Sequence, residues 1–226
     1  MKITYLGHAA FAVAFNGKNL ILDPFISPNE LAQHIDVTAL AADYILVSHG
    51  HSDHVADVET IAINTGASVI SNYEIVSWFA EKGISGHPLN LGGTCKFEFG
   101  SLKYVNAVHS SVLPDGTYGG NPGGFVVWDA QQAFYFAGDT ALHTDMQLIP
   151  LTCPKLDVAI LPIGDNFTMG YADALLASDF IGCNKIIGCH YDTFGYIEID
   201  HAAAKKAFAE KGKELILLDI GASIEL

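Results

Sequence analysis

The order of strand-like and helix-like segments constrains the fold of this chain more than any other feature. Each half opens with β-rich segments and continues with apolar strands that alternate with helical patterns. Early in the chain, Asn16-Gly17 separates two apolar runs, which predicts a β-hairpin. No low-complexity linker separates the halves. We therefore predict a single α/β domain over residues 1–226, in which two sheets pack together with helices outside.

Periodicity and glycine placement locate the main elements. Helices are predicted at "DVETIAINTG", which ends at Gly66, at "YEIVSWFAEKG", and at about 171–182 and 200–211. Continuous or alternating apolar runs predict strands at "ADYILVSH", "LKYVNAVHS", "AFYFAGD", "LDVAILPIG", "KIIGCH" and "LILLDI". Several of these strands end at a histidine or an aspartate.

The charge composition excludes some classes of partner. The formal net charge is −14, and all 11 basic residues are lysines. A protein that follows a nucleic-acid backbone needs a basic surface, so we expect no nucleic-acid partner. The absence of arginine also removes the side chain that best clamps phosphate or carboxylate groups in bidentate fashion.

The sequence shows no targeting or membrane-spanning pattern. The start, "MKITYLGHAA", has no long apolar stretch followed by a small-residue cleavage site, and no run of about 18 apolar residues occurs. The four cysteines are too irregularly spaced for a metal knuckle or a disulfide framework. These features predict a cytoplasmic protein without a membrane partner.

A cluster of metal-ligating side chains follows one predicted strand. The stretch "SHGHSDHVAD", residues 48–57, directly follows an apolar run. Further candidate ligands also end apolar strands, and strand ends converge on one edge of a sheet. Together the donors suffice for two metal ions with positions left for water. They are His49, His51, Asp53, His54, His109, Asp139 and His190.

These motifs resemble those of a known family. "HGHSDH" is similar to the H-x-H-x-D-H signature of the metallo-β-lactamase superfamily, and the later candidate ligands occur in the order that superfamily uses. More narrowly, "KITYLGHAAF", "LILDPF", "LPIGDNFTMG" and "CHYDTF" resemble a metal-dependent hydrolase family close to ascorbate-6-phosphate lactonase. The resemblance implies a four-layer αβ/βα sandwich with the metal site at one edge.

The resemblance also implies a division of the ligands. His49, His51 and His109 would hold one metal ion, and Asp53, His54 and His190 the second, with Asp139 bridging both. Imidazole and carboxylate donors suit zinc or manganese, and also nickel or iron. A metal-bridging hydroxide would then attack a small lactone, ester or phosphoester, with Asp53 as the catalytic residue that orients it or transfers a proton.

Two alternatives stay open at this point. The first is a structural or sensory metal-binding protein without turnover, and the second is a nuclease of the same superfamily, which the acidic composition disfavours. We expect a small-molecule substrate, and self-association into a homo-oligomer is compatible with the resemblance.

Residues near the strand ends could line the site or support it. His8 and Asp23 follow early strands, and Asp165, Asn166 and Thr168 follow "DVAILPIG". Each could contact substrate or a metal ligand, or could instead serve a turn or a helix cap. Residues 110–124 contain five glycines and two prolines directly after His109. This segment could be an ordinary surface loop or a mobile flap that becomes ordered with ligand.

Overall fold

Two seven-stranded mixed sheets form the centre of the protein. The computed structural model describes all 226 residues. The first sheet has the order β14-β1-β2-β3-β4-β5-β6, and the second β13-β12-β11-β10-β9-β8-β7. The strands are β1 (Lys2–Gly7), β2 (Ala10–Phe15), β3 (Lys18–Leu22), β4 (Tyr44–Leu46), β5 (Ser68–Ser71), β6 (Gly86–Pro88), β7 (Thr94–Phe97), β8 (Gly100–Asn106), β9 (Gly123–Trp128), β10 (Ala133–Phe136), β11 (Val158–Pro162), β12 (Lys185–Cys189), β13 (Glu214–Ile216) and β14 (Ser223–Glu225).

Helices cover the outer faces of both sheets. They are α1 (Ser52–Val55), α2 (Val58–Thr65), α3 (Tyr73–Ala80), α4 (Ile149–Thr152), α5 (Tyr171–Phe180) and α6 (His201–Ala209), with short 3-10 helices at Glu30–Ala32, Val37–Ala39, Thr144–Leu148 and Gly195–Ile197. No helix combines the length and the apolar character that crossing a membrane requires.

Alternation along the strands explains the four layers. In β3, the Leu20 and Leu22 side chains pack in the hydrophobic core between the two sheets, whereas Ile21 packs in the hydrophobic core between the first sheet and helices α2 and α3. In β11, Ile160 faces the other sheet and Ala159 faces α5 and α6. Each sheet is therefore buried on both faces, as the predicted αβ/βα sandwich requires.

Local features agree with the predicted elements, except at three strands. The hairpin turn forms at Asn16 and Gly17, whose φ angles of 46° and 75° are those of a type I′ turn. Gly66 ends α2 in the left-handed conformation. The run "LILLDI" contributes only its start to β13, because the chain turns at Asp219 and returns as β14 along β1. Neither β6 nor β14 has a strand-like pattern of its own.

Strand direction places the predicted site. β1, β3, β4 and β5 run parallel to one another in the first sheet, as do β8, β10, β11 and β12 in the second. The carboxyl ends of these strands meet at one edge of the sandwich. The segments that follow them carry every residue predicted for the site.

Candidate metal centre

Left-handed backbone conformations occur where strands end at this edge. His8, Asp23 and His190 have φ angles of 54°, 38° and 54°. Residues other than glycine adopt such angles at a cost of about 1–3 kcal/mol, and such residues concentrate at functional sites. All three side chains are buried. At each of these three positions the left-handed backbone turns the chain sharply after the strand, and the side chain remains in the protein interior.

Three histidines form the first group of candidate ligands. His49 follows β4, His51 precedes α1, and His109 follows β8. One ligating atom from each lies within 4.8 Å of the others. Nε2 of His49 is 3.0 Å from Nδ1 of His51. The strand end and the start of a short helix thus bring together the three imidazoles that were predicted to share one ion.

The second group combines a carboxylate with histidines. Asp53 and His54 lie on α1, and His190 follows β12. Their ligating atoms, together with one of His8, lie within 4.8 Å of one another. His8 thus lies next to the three residues predicted for the second ion, with its Nε2 atom 3.1 Å from Oδ2 of Asp53.

Asp139 lies between the two groups. Its Oδ2 atom is 3.9 Å from Nε2 of His49 and 3.6 Å from Nε2 of His109. The same oxygen is 3.3 Å from Nε2 of His54 and 3.0 Å from Nε2 of His190. One buried carboxylate oxygen thus faces imidazoles from both groups, which is the position predicted for a bridging ligand.

Some buried atoms of the candidate ligands lack a hydrogen-bond partner, as expected of ligands that bind a cation. Nε2 of His54 and Oδ1 of Asp139 are buried and have no hydrogen-bond partner. Leaving a buried polar atom unpaired costs about 1–3 kcal/mol, and a bound ion removes that cost. All seven predicted ligands converge here, and metal binding by them stays a prediction.

A buried carboxylate supports the histidines from behind. Oδ2 of Asp23 is 2.7 Å from Nδ1 of His54, which leaves Nε2 of His54 to face the cluster. Asp23 also accepts hydrogen bonds from the backbone N–H and the hydroxyl of Ser48. The Ser48 hydroxyl in turn lies 3.0 Å from Nδ1 of His49. Such contacts fix the orientation of a metal-binding imidazole, and Asp23 has the supporting position that was one of its two predicted roles.

The electrostatics of the cluster favour positive charge. Burial opposes the charged form of His190, but Asp139 and Asp53 outweigh it and raise the pKa of this imidazole to about 9. Burial likewise opposes charge on His54, yet the surrounding carboxylates hold its pKa well above the usual value. For Asp139, burial would raise the pKa, but His54 and His190 lower it well below its ordinary range. In the metal-free protein, protons on His54 and His190 thus compensate the negative charge of the carboxylates. Divalent cations would compensate the same charge when they bind.

The first histidine group behaves differently. Burial lowers the pKa of His49, His51 and His109, so these imidazoles are neutral at neutral pH. A neutral imidazole has a free lone pair on one ring nitrogen. This group is therefore ready to bind an ion without losing a proton.

His8 connects the second group to the surface. Its Nε2 lies 3.1 Å from Oδ2 of Asp53, and its Nδ1 lies 2.9 Å from the hydroxyl of Thr193. Burial lowers the pKa of His8 to about 4, so the ring carries one proton at neutral pH. A neutral ring in this position donates from Nε2 to the Asp53 carboxylate and accepts from Thr193.

The residues after β11 line a cleft that borders the backbone of His190. Asp165 and Asn166 line a cleft of about 540 Å³, together with Tyr171, Tyr196 and Glu198. Neither residue caps α5, whose N-cap is Gly170 without a side-chain hydrogen bond. None of the seven candidate ligands lines this cleft, so a substrate contact by Asp165 or Asn166 stays a prediction.

Thr168 does not line this cleft. Its hydroxyl donates to the carbonyl of Met169 at 3.4 Å, which is a local contact. A substrate contact by Thr168 stays a prediction without geometric support.

The segment 110–124 is held at both of its ends. The Ser111 hydroxyl donates to the carbonyl of Gly119 and accepts from the N–H of Gly50, and the Asn72 amide donates to the carbonyls of Gly119 and Asn121. Leu113, nearer the tip of the segment, is buried in the hydrophobic core beneath α2 and α3. Only the tip carries a run of exposed residues, so a flap motion of the whole segment stays a prediction.

The sequence patterns gave no indication of several residues in contact with the site. Ser48 and Thr193 contact His49 and His8, and Phe25 and Phe194 place rings 5.4 and 5.3 Å from the His8 ring. Ser48 directly precedes the histidine motif at a buried strand end, which was the only available sign of its role. The aromatic residues lie on loops whose paths depend on tertiary packing.

Comparison with known proteins agrees with this geometry. Residues 2–190 match the family model of the β-lactamase superfamily domain. A UPF0173 metal-dependent hydrolase of Flavobacterium johnsoniae is 61% identical over 226 residues, covering 100% of both chains. A UPF0173 metal-dependent hydrolase of Thermus thermophilus is 44% identical over 95% of this chain and 94% of its own.

Solved structures show the same fold. The metallo hydrolase Igni18 of Ignicoccus hospitalis superimposes with a TM-score of 0.89 at 31% identity, covering 100% of this chain and 98% of its own. An isothiocyanate hydrolase from Delia radicum gut bacteria reaches a TM-score of 0.79 at 18% identity over 100% and 99% of the two chains, which shows a shared fold alone. The predicted closeness to ascorbate-6-phosphate lactonase stays a prediction. The matched family model, the coverage of the relatives and the clustered His and Asp side chains lead to one conclusion: this chain belongs to the UPF0173 metal-dependent hydrolases of the β-lactamase superfamily.

Proposed function

We propose that this hydrolase uses two divalent metal ions, with zinc or manganese favoured over nickel or iron, to hydrolyse a small-molecule ester, lactone or phosphoester. The observation that carries the proposal is the position of Asp139, whose Oδ2 lies between 3.0 and 3.9 Å from four imidazole nitrogens. Those nitrogens belong to two separate groups of candidate ligands. A single oxygen that faces both groups is the arrangement expected of a carboxylate shared by two cations.

The residues divide into two sites with different properties. His49, His51 and His109 would hold one ion as neutral imidazoles. Asp53, His54 and His190 would hold the other, with Asp139 common to both. Two bound cations would supply a water activated for attack near neutral pH and positive charge that stabilises the developing oxyanion.

Asp53 is a carboxylate that the protein keeps ionised and partly open to solvent. Burial alone would raise its pKa, but the His54 charge, the nearby His190 ring at 3.8 Å and the contact with His8 at 3.1 Å lower it far below the ordinary value. About a quarter of its side chain remains exposed, at 27%. Asp53 can therefore orient the attacking water at the solvent side, while the neutral His8 ring holds the carboxylate in place.

The experiment measures metal content and turnover on the same preparation. Purified protein is analysed for metals, stripped with a chelator, and reloaded with zinc or manganese. We expect about two divalent ions per chain and hydrolysis that disappears with chelation and returns with metal, on at least one member of a panel of p-nitrophenyl esters, lactones and p-nitrophenyl phosphoesters.

Two histidine variants provide the matched comparison. His109→Ala should lose one ion and the turnover, because it removes a ligand of the first group. His87→Ala removes an imidazole that packs against Phe97 away from the cluster, and it should keep both. Two bound ions without any hydrolysis would favour the alternative of a metal-binding protein without turnover. A folded protein that rebinds no metal would contradict the proposal outright.

A further inference from the structure

We propose that the site selects uncharged esters or lactones with an apolar part, and that the Phe194 ring packs against that part. This inference rests on the proposed function and narrows its substrate class. It starts from three features at the mouth of the metal centre: the absence of cationic side chains, the presence of carboxylates, and an ordered aromatic wall.

No lysine follows the strands whose ends form the site. The segments 23–43, 47–57, 107–122, 137–148, 163–170 and 190–200 contain none, and the chain has no arginine. Proteins that bind phosphate groups use such cationic side chains, or helix N-termini, to compensate the charge. Here a phosphoester would find no cationic side chain on these segments, and its charge would be compensated by the metal ions and by the N-terminus of α5, whose first residues line the neighbouring cleft.

The surrounding carboxylates would compensate most of the positive charge of the two metal ions. Two divalent cations carry four positive charges, and the carboxylates of Asp23, Asp53 and Asp139 offset three of them. The cleft whose lining residue Gly164 packs against the backbone carbonyl of His190 also contains Asp165, Glu198 and Asp200. An anionic substrate would approach through a region of negative potential, which lowers its local concentration and its association rate. An uncharged substrate meets no such barrier.

The mouth has an aromatic wall next to the ligands. The His8 ring lies 4.1 Å from the His190 ring, and the Phe194 ring lies 5.3 Å from His8 on its outer side. Phe194 remains 39% exposed although it is large and apolar. Phe167 and Tyr196 form a second aromatic pair on the surface, 6.2 Å apart and 51% and 78% exposed, and Tyr196 lies two residues after Phe194. An apolar acyl chain at the metal centre would cover these exposed rings.

The loop that carries Phe194 is ordered by its own hydrogen bonds. The Asp192 carboxylate accepts from the N–H of Ile199 at 3.0 Å and lies 2.6 Å from Nε2 of His201. The N–H of Asp192 donates to the carbonyl of Ile197. The wall is therefore formed before substrate arrives, which reduces the ordering cost of binding.

The test measures the chelator-sensitive kcat/KM for p-nitrophenyl acetate, butyrate and hexanoate. For the wild-type protein we expect a rise of about 10-fold or more from acetate to hexanoate, because each buried methylene favours binding. Phe194→Ala should flatten this dependence, and Phe194→Leu should keep most of it. Ile63→Ala, which removes an exposed apolar side chain from the outer side of α2, should behave as the wild type.

A second measurement tests charge. Tyr196→Lys places a cation at the mouth and should raise kcat/KM for bis(p-nitrophenyl) phosphate by about 3-fold or more, while p-nitrophenyl butyrate changes less. Added salt should raise the phosphodiester rate of the wild type and leave the ester rates unchanged.

Each outcome has a defined meaning. A flat chain-length dependence in the wild type, or an unchanged dependence in Phe194→Ala, would overturn the role of Phe194. A phosphodiester rate that falls with salt would overturn the preference for uncharged substrates while leaving the proposed function intact. Absence of metal-dependent turnover on every ester, lactone and phosphoester of the panel would instead overturn the proposed function, and this inference with it.

Discussion

Asp23 places its Oδ2 atom 2.7 Å from Nδ1 of His54, and neither side chain is accessible to solvent. The contact fixes which nitrogen of His54 faces the cluster. It also places a negative charge behind the ring, which increases the basicity of the nitrogen that would bind the metal. Through Ser48, the same carboxylate reaches His49 in the other group. A single residue outside the ligand set therefore orients one imidazole of each group.

Replacing this carboxylate should weaken metal binding without removing a ligand. Asp23→Asn keeps the size of the side chain and loses its charge, so we expect the affinity for the second ion to fall by about 10–100-fold. Competition with a chromophoric chelator would measure the change. Asp57→Asn is the matched control, because Asp57 is also buried but accepts hydrogen bonds from the N–H groups of Ile26 and Ser27. Equal affinity in Asp23→Asn and the wild type would show that the contact is only structural.

Replacing Asp53 distinguishes its role in metal binding from its role in catalysis. Asp53→Asn keeps one oxygen donor and removes the charge that orients the attacking water and accepts its proton. The first ion, held by the three neutral histidines, should remain bound, and the second should bind more weakly. With both ions supplied in excess, turnover should fall by roughly 10²–10⁴. Full activity with both ions bound would assign proton transfer to another group, with His8 and Asp165 as the next candidates.

The sequence predicted the strand ends better than the loops between them. The candidate ligands could be found because each ends an apolar run, and parallel strands bring such ends together regardless of the path in between. The hairpin at Asn16-Gly17 and the end of α2 at Gly66 depend on local backbone preferences, so they were also predictable. β14 was missed because its pairing with β1 joins the two ends of the chain.

Contacts between distant loops set the limit of prediction at the site. Thr193 and His8 are 185 residues apart in sequence, and their hydrogen bond depends on how the two sheets pack. Phe194 has no periodic neighbours, so nothing in the sequence distinguishes an exposed aromatic ring at a site from one at any other surface. Ser48 was adjacent to the predicted cluster, but its link to Asp23 requires β3 and β4 to be paired.

Metal loading should release protons in an amount that depends on pH. In the metal-free protein, His190 has a pKa of about 9 and His54 has a pKa raised well above its ordinary value, so both are protonated at neutral pH. Both must lose a proton to bind an ion, so we expect release of roughly two protons per chain at pH 7. As the pH rises through about 9, His190 is already deprotonated before binding, so its share of the release disappears and the apparent affinity increases less steeply with pH. Calorimetry in buffers of different ionisation enthalpy measures the release, and no dependence on the buffer would contradict the assignment.

The final prediction concerns the segment 110–124, whose base is tied to α3 by Asn72. The Asn72 side chain caps α3 with its oxygen, which accepts from the N–H of Ile75, and holds the segment with its amide nitrogen. Asn72→Ser keeps a capping oxygen and loses the donors to Gly119 and Asn121, so α3 should stay folded while the segment loosens. We expect faster amide hydrogen exchange across 110–124 in this variant, and slow exchange in the wild type at Leu113 and Gly119, whose N–H groups are hydrogen-bonded within the segment.

If the segment 110–124 closes over substrate, Asn72→Ser should also raise KM more than it lowers kcat, because ordering the segment on binding becomes more costly. Asn72→Ala, which removes the cap as well, should additionally lower the free energy of unfolding by about 1 kcal/mol. Exchange in Asn72→Ser as slow as in the wild type would show that the buried Leu113 side chain, and not Asn72, holds the segment in place.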